Sequence, residues 1–157
     1  TAQAYSYSQS RLCWRSVLKT TTTKMKTKFY YGCELLRVID GDTIDVRADL
    51  GFDVHLKLRL RFMGINTPES RTRNLEEKAL GKAATARLKE ILESADSVEF
   101  ESHGKGKFGR VLATPYAVMG DERTDVCEML VREDHARLYD GGKREPWTTS
   151  KSKAEND

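Results

Sequence analysis

Asp40-Gly41-Asp42-Thr43, Arg61, Thr67-Pro68-Glu69 and Arg110 put acidic and basic groups into short, turn-bounded segments of a chain that otherwise reads as β-rich. Packing gives no reason to place charges there. A metal ion bound next to a phosphate does give one, because carboxylates hold a hard cation and guanidinium groups hold the anion with paired donors. Taken singly, each group has a plainer alternative. Asp-Gly-Asp is turn chemistry, a strand arginine is most often a solvated face residue, and a glutamate after proline is an ordinary surface residue.

The elements that must position these groups follow from periodicity. Residues 34–39 and 43–48 are short aliphatic and β-branched runs on either side of the Asp-Gly-Asp turn, the pattern of two strands joined tightly. Ile44, Val46 and Ala48 alternate with Asp45, Arg47 and Asp49, which predicts one buried face and one wet face. Asp42 is in phase with the buried row and lies at its end. A carboxylate there is costly unless a cation or several hydrogen bonds compensate it. After a turn at Leu50-Gly51-Phe52-Asp53, a long strand follows. Phe52, Val54, Leu56, Leu58, Leu60 and Phe62 form one face, while His55, Lys57, Arg59 and Arg61 form a basic stripe on the other. Gly64 marks a bulge or bend, and Pro68 takes the chain out of the sheet.

Asn74, with Glu77 three residues on, caps a helix. Leu80, Ala84, Leu88, Ile91 and Leu92 then recur at helical spacing to about Glu93. Gly81 weakens that helix only modestly, and the helix reads as packing, not as a partner site. A strand at 98–101, a basic turn at 103–107 and a strand at 108–118 come next. A second helix runs from its Asp125 cap to about Glu133, and Ala136 to Tyr139 is extended. The order strand, strand, strand, helix, strand, strand, helix predicts a mainly β protein with helices. Its architecture is a five-stranded Greek-key barrel of the OB-fold type, with the long helix between strands 3 and 4.

Length and composition fit one such domain. The 157 residues are 38% hydrophobic and 32% charged, enough for a single core and little apolar material beyond it. With 27 Lys+Arg against 24 Asp+Glu, the net charge is only +3, so nucleic-acid contact must come from locally clustered charge. Cys13, Cys33 and Cys127 have no zinc-like spacing, and their odd number argues against a disulfide framework. That favours a reducing compartment, with the cytoplasm slightly preferred. No apolar run approaches the roughly 18 residues of a membrane-spanning helix, so no membrane partner is expected. Residues 1–28 are Ser/Thr-rich and read as a disordered or non-native tail, with Met25 close to a natural start. Residues 29–147 form the domain, and 148–157 a polar tail.

Ile39-Asp40-Gly41-Asp42-Thr43, Arg61 with Asn66-Thr67-Pro68-Glu69, and Lys107-Phe108-Gly109-Arg110 resemble, in order and at compatible spacing, the three signature segments of the staphylococcal nuclease (thermonuclease) family. The resemblance covers residues 29–139. It implies an OB-fold and a Ca²⁺-dependent phosphodiesterase acting on DNA, RNA or both. Carried over residue by residue, it makes Asp42, Asn66 and the Thr67 carbonyl metal ligands, with Asp40 orienting water around the ion. It makes Arg61 and Arg110 the phosphate clamps, and Glu69 the general base or water-orienting group. Lys107, Phe108 and Tyr139 fall on the substrate side, Tyr139 as a base-stacking platform. Four departures stand out. Asn66 replaces the family's usual aspartate, which keeps an oxygen ligand but removes a charge. Phe108 lacks a phenol hydroxyl, Gly106 stands where an acidic residue is common, and Tyr139 is about one residue out of register. His55, His103 and His135 are scattered and carry no assigned chemistry.

Two functions therefore stand in contrast: a monomeric, Ca²⁺-dependent nuclease, or a non-catalytic OB-type nucleic-acid-binding module. Loss of Glu69 or of either arginine would favour the second, and all three residues are present.

Overall fold

The computed structural model describes residues 28–147. Cys13, Met25 and both proposed tails lie outside that range, save Lys28. Five strands close a barrel: β1 (Phe29–Asp40), β2 (Thr43–Asp49), β3 (His55–Phe62), β5 (Ser97–Lys105) and β6 (Val111–Met119). β1, β2 and β3 form an antiparallel meander, β5 pairs with β1, and β6 pairs with β5. Parallel pairing of β3 with β6, Leu60 to Val111 through Phe62 to Ala113, completes the ring. The result is a mixed barrel of the OB-like type, as the element order predicts. α1 (Leu75–Ser94) lies between β3 and β5 in sequence. The short β4 (Ile65–Asn66) and β8 (Arg137–Leu138) pair with each other, and β7 (Glu122–Asp125) extends the sheet beside β6. α2 (Val126–Arg132) follows. Among the described residues no helix is long and apolar enough to cross a membrane.

The alternation in β2 is realised in full. Ile44, Val46 and Ala48 are completely buried, against Leu60, Phe62, Leu88, Phe100 and Leu130 among others. Each large aliphatic or aromatic side chain removed from water there contributes about 1.5–3 kcal/mol. The alternation in β3 is realised only in its second half. Phe52, Val54 and Leu56 are exposed, because the β2–β3 hairpin runs out past the barrel and ends in a turn where Phe52 and Asp53 have positive φ. Arg61 also departs from the expected wet stripe: it is 8% exposed, turned inward at the barrel end.

Both helices begin where their caps require. The Asn74 side chain accepts from the Glu76 and Glu77 amides, and Asp125 accepts from those of Cys127 and Glu128. Glu77 does not close a capping box; its carboxylate instead accepts from the Glu69 amide at 3.4 Å. Leu80, expected in the core, is exposed, and Gly81 takes the buried position. A Cβ added at Gly81 would lie 2.6 Å from the main-chain atoms Glu69 C and Ser70 N. Only a residue without a side chain lets the helix come that close.

The strand expected from residue 108 begins instead at Val111. β5 runs on to Lys105, and Lys107–Gly109 form a 3₁₀ turn with Phe108 at φ 60°. Cys33 and Cys127 are free; burial pushes the Cys33 thiol up to about 12 and raises that of Cys127 as well. Neither is poised to react.

Candidate active site

Strand pairing brings the three charged segments to one end of the barrel. Thr43 pairs with Arg61, so the β1–β2 turn and the end of β3 lie side by side, and Phe62 N donates to Asp42 O at 2.9 Å. Arg61 in turn pairs with Leu112, which brings Arg110 to the same end through the chain just before β6. The β1–β2 turn is tight for a further reason. A Cβ at Gly41 would sit 2.9 Å from the Ala84 Cβ and 3.0 Å from the Thr67 side chain. The turn, the Thr67 segment and α1 thus meet where glycine leaves room.

A cavity of about 270 Å³ opens at this junction, lined by Asp40, Asp42, Arg61, Asn66, Thr67, Glu69 and Arg110. All seven residues predicted for the metal, the phosphate and the water therefore face one space. Thr43, Pro68, Arg71 and Arg144 complete its wall.

Asp42 answers the cost of its burial with three partners. Its Oδ2 lies 2.6 Å from Arg61 Nη1 and accepts from Thr67 N at 3.1 Å, while Oδ1 accepts from Thr43 Oγ1 at 3.0 Å. The Arg61 guanidinium is less well served. Apart from the Asp42 carboxylate, its donors reach the Asp42, Phe62 and Ile65 carbonyls and Asn66 Oδ1 at 3.3–3.4 Å. Those lengths lie beyond the usual 2.7–3.2 Å of an N–H···O bond. Burial lowers the Arg61 pKa and the Asp42 carboxylate opposes that, while Arg144 and Arg110 push it further down. A cation that is buried, poorly hydrogen-bonded and pressed by two others gains most from an anion entering the cavity. Arg110 faces the same space, its Nε reaching only the Lys107 carbonyl at 3.4 Å. Among the described residues neither Arg110 nor Arg71 has an ion-pair partner.

Two carboxylates at the rim are held by neighbours. Ser70 Oγ donates a hydrogen bond to Asp40, and Arg144 Nη1 pairs with Glu69 Oε1 at 2.9 Å. Among the described residues no cluster of three or more His, Cys, Asp or Glu side chains could hold a metal ion. The predicted ligand set does not require one. One carboxylate, one side-chain amide and one main-chain carbonyl supply only oxygen, which suits a hard cation such as Ca²⁺, and Asp40 and Glu69 face the same space. With the Asp42 charge already shared by Arg61, the set is poor in negative charge.

The substrate-side residues lie elsewhere. Lys107 and Phe108 are exposed in the 3₁₀ turn, and the Phe108 ring, 90% exposed, sits 5.6 Å from the Arg110 guanidinium. Tyr139 lines an adjoining groove; its hydroxyl donates to Gly142 O at 2.8 Å and its amide to Gly64 O at 2.9 Å.

Sequence reasoning missed Ser70, Arg71 and Arg144. Ser70 and Arg71 follow the Thr-Pro-Glu segment directly, so adjacency was a usable signal. Arg144 is 75 residues from Glu69, in a loop with no periodicity, and nothing local marks it.

Comparison with known proteins bears on the family of the chain. A model of the staphylococcal nuclease homologue family matches residues 59–156. The thermonuclease of Staphylococcus intermedius is 36% identical over 120 residues, covering 76% of this chain and 64% of that protein. The thermonuclease of Staphylococcus hyicus is 34% identical over 105 residues, 66% of this chain and 57% of that protein. The SPbeta prophage-derived endonuclease YokF of Bacillus subtilis (strain 168) is 33% identical over 104 residues, 65% of this chain and 32% of that protein. The chain thus spans less than two thirds of each of these relatives. With the barrel, the ordered segments and these matches in agreement, the chain belongs to the staphylococcal nuclease homologue family.

Proposed function

We propose that this protein is a Ca²⁺-dependent nuclease that hydrolyses phosphodiester bonds of DNA, RNA or both. One observation carries the reading: Asp42, Arg61, Asn66, Thr67, Glu69 and Arg110 share one cavity of about 270 Å³. The relatives' names, thermonuclease and endonuclease, support it. The residues named above all come from one chain, and the reading takes the protein as a monomer.

Arg61 and Arg110 grip the phosphate oxygens, Arg61 from the cavity wall and Arg110 from the segment before β6. Both strengthen their hold as negative charge builds on the five-coordinate phosphorus, which is where an interaction lowers the barrier. Glu69 orients a water behind the phosphorus and takes its proton as the water oxygen bonds to phosphorus. The P–O bond to the 5′-oxygen breaks, that oxygen takes up a proton from solvent, and a 3′-phosphate remains. Asp42, Asn66 and the Thr67 carbonyl would hold Ca²⁺, with Asp40 orienting water beside it. When bound, the ion supplies Lewis-acid polarisation of a phosphate oxygen. Lys107 and Phe108 meet the strand as it leaves the cavity, and Tyr139 stacks on a base. Single-stranded or frayed substrate is preferred, because the cavity must reach the backbone from one side.

Denatured DNA incubated with and without Ca²⁺ tests this directly. Metal-dependent conversion to short products is expected, and Arg110→Ala should lower turnover by roughly a thousand-fold or more, with the melting temperature little changed. Salt-sensitive retention of DNA without cleavage would instead make the chain a binding module.

A further inference from the structure

A second groove of about 520 Å³ adjoins the cavity and shares two wall residues with it, Asn66 and Arg144. Its wall also includes Arg137, Tyr139 and Lys143, together with two carboxylates, Asp140 and Glu145, so three cations face two anions there. The loop that forms it is anchored. Tyr139 bonds to Gly64 through its amide and to Gly142 through its hydroxyl, and Gly142 N donates to Asp140 Oδ1 at 3.0 Å. Those bonds fix the turn that presents Lys143 and Arg144. Arg137 is stiffened separately, with its guanidinium 4.1 Å from the Trp147 ring centroid. Among the described residues Lys143 has no ion-pair partner. Arg144 has one, Glu69, but both side chains are at least half exposed, and an ion pair in that setting is worth little.

We infer that this groove is a second phosphate subsite, which takes the phosphodiester next to the one in the cavity, and that Arg144 is its principal contact. The inference rests on the nuclease reading above. Free of substrate, Arg144 keeps its guanidinium at the seam between groove and cavity by pairing with Glu69. A substrate phosphate in the groove offers Arg144 two oxygens in the fork geometry that suits a guanidinium. Exchange of Glu69 for that phosphate costs little and leaves the carboxylate to the attacking water. The strand then lies across both spaces, one phosphate in each, with Lys143 adding charge along its path.

The test compares a dinucleotide, with one phosphodiester, against a trinucleotide, with two. The intact protein should cleave the trinucleotide with a kcat/KM roughly ten-fold higher, the scale of one charge-assisted contact. Arg144→Ala should erase most of that preference through KM, and should shallow the salt dependence of binding to longer single strands by about one phosphate contact. Arg144→Lys should restore part of both. Equal losses on the two substrates, through kcat, would mean that Arg144 serves only to hold Glu69, and would overturn the subsite. An undiminished preference would overturn it as well. Failure of the unaltered protein to cleave either substrate would sink the nuclease reading instead, a result distinguishable from both.

Discussion

Two aspartate–arginine pairs connect the same hairpin to β3, and they differ in almost everything but their chemistry. Asp45 and Arg59 face each other across the ladder on the wet side of the sheet. Asp45 accepts two bonds from Arg59, at 2.7 and 3.0 Å, and a third from Arg37 at 2.7 Å. Every oxygen is used and the set is complete. Asp42 and Arg61 lie three and two residues away along the chain, at the barrel end, with side chains only 9–10% exposed. Here the carboxylate is satisfied and the guanidinium is not, since all its bonds but the 2.6 Å contact to Asp42 are long. The exposed pair closes on itself, whereas the buried pair keeps donors in reserve beside a cavity. The lesson is that a buried ion pair signals function through the bonds it leaves poorly made.

Removal of each arginine is the most direct way to break the comparison. Arg61→Ala strands a buried carboxylate, and chemical denaturation should register a loss of about 2–4 kcal/mol, tempered because the cavity can admit water. Arg59→Ala should cost less than about 1 kcal/mol, since Arg37 remains and Asp45 can be hydrated. Equal losses would end the distinction between the two pairs.

The next test adds charge on the buried side. Asn66→Asp supplies the missing carboxylate opposite Arg61 and should tighten Ca²⁺ binding roughly ten-fold in a calorimetric titration, about 1.4 kcal/mol. An unaltered affinity would remove Asn66 from the ligand set.

The smallest effect belongs to the exposed pair and to acid. Hydrogen bonding to Arg59, opposed by burial and reinforced by Arg37, holds the Asp45 carboxyl down at about 2 against an ordinary 3.8. A depressed carboxyl stabilises the fold above its unfolded value and loses that contribution as pH falls through the folded one. Asp45→Asn should therefore cost on the order of 1 kcal/mol at neutral pH, after allowance for solvent around Arg59. That difference should shrink between about pH 4 and pH 2. A pH-independent difference would assign it to packing.

What was legible in the sequence follows the same divide between local and distant causes. The row Ile44, Val46, Ala48 and the cap at Asn74 are local patterns, and both were readable. The β3 alternation was readable too but overextended, because periodicity records which side chains share a face and not whether anything covers that face; at Phe52, among the described residues, nothing does. Phe108 reads as the head of a strand because a run rich in strand formers follows it from Val111, and only the turn joining β5 to β6 explains its left-handed backbone. Asp42, Arg61 and Glu69 could be named from ordered segments, whereas Arg144 reaches the site through a fold-level juxtaposition that no window of sequence contains. Helical spacing put Leu80 in the core because it counts side chains, and the buried position belongs to a residue that has none.

That position, Gly81, fixes the rotational phase of α1. The second turn of a 20-residue helix rests main chain against main chain on the peptide between Glu69 and Ser70. With 3.6 residues per turn, a one-residue slip would rotate the helix by about 100° and bring Leu80 or Lys82 to that contact. No side chain fits there, so only one azimuth of the helix is compatible with the position of the Glu69 main chain. The alignment of the rim carboxylate is thus set by a rigid rod, and the vacancy of a single methyl group is its indexing mark.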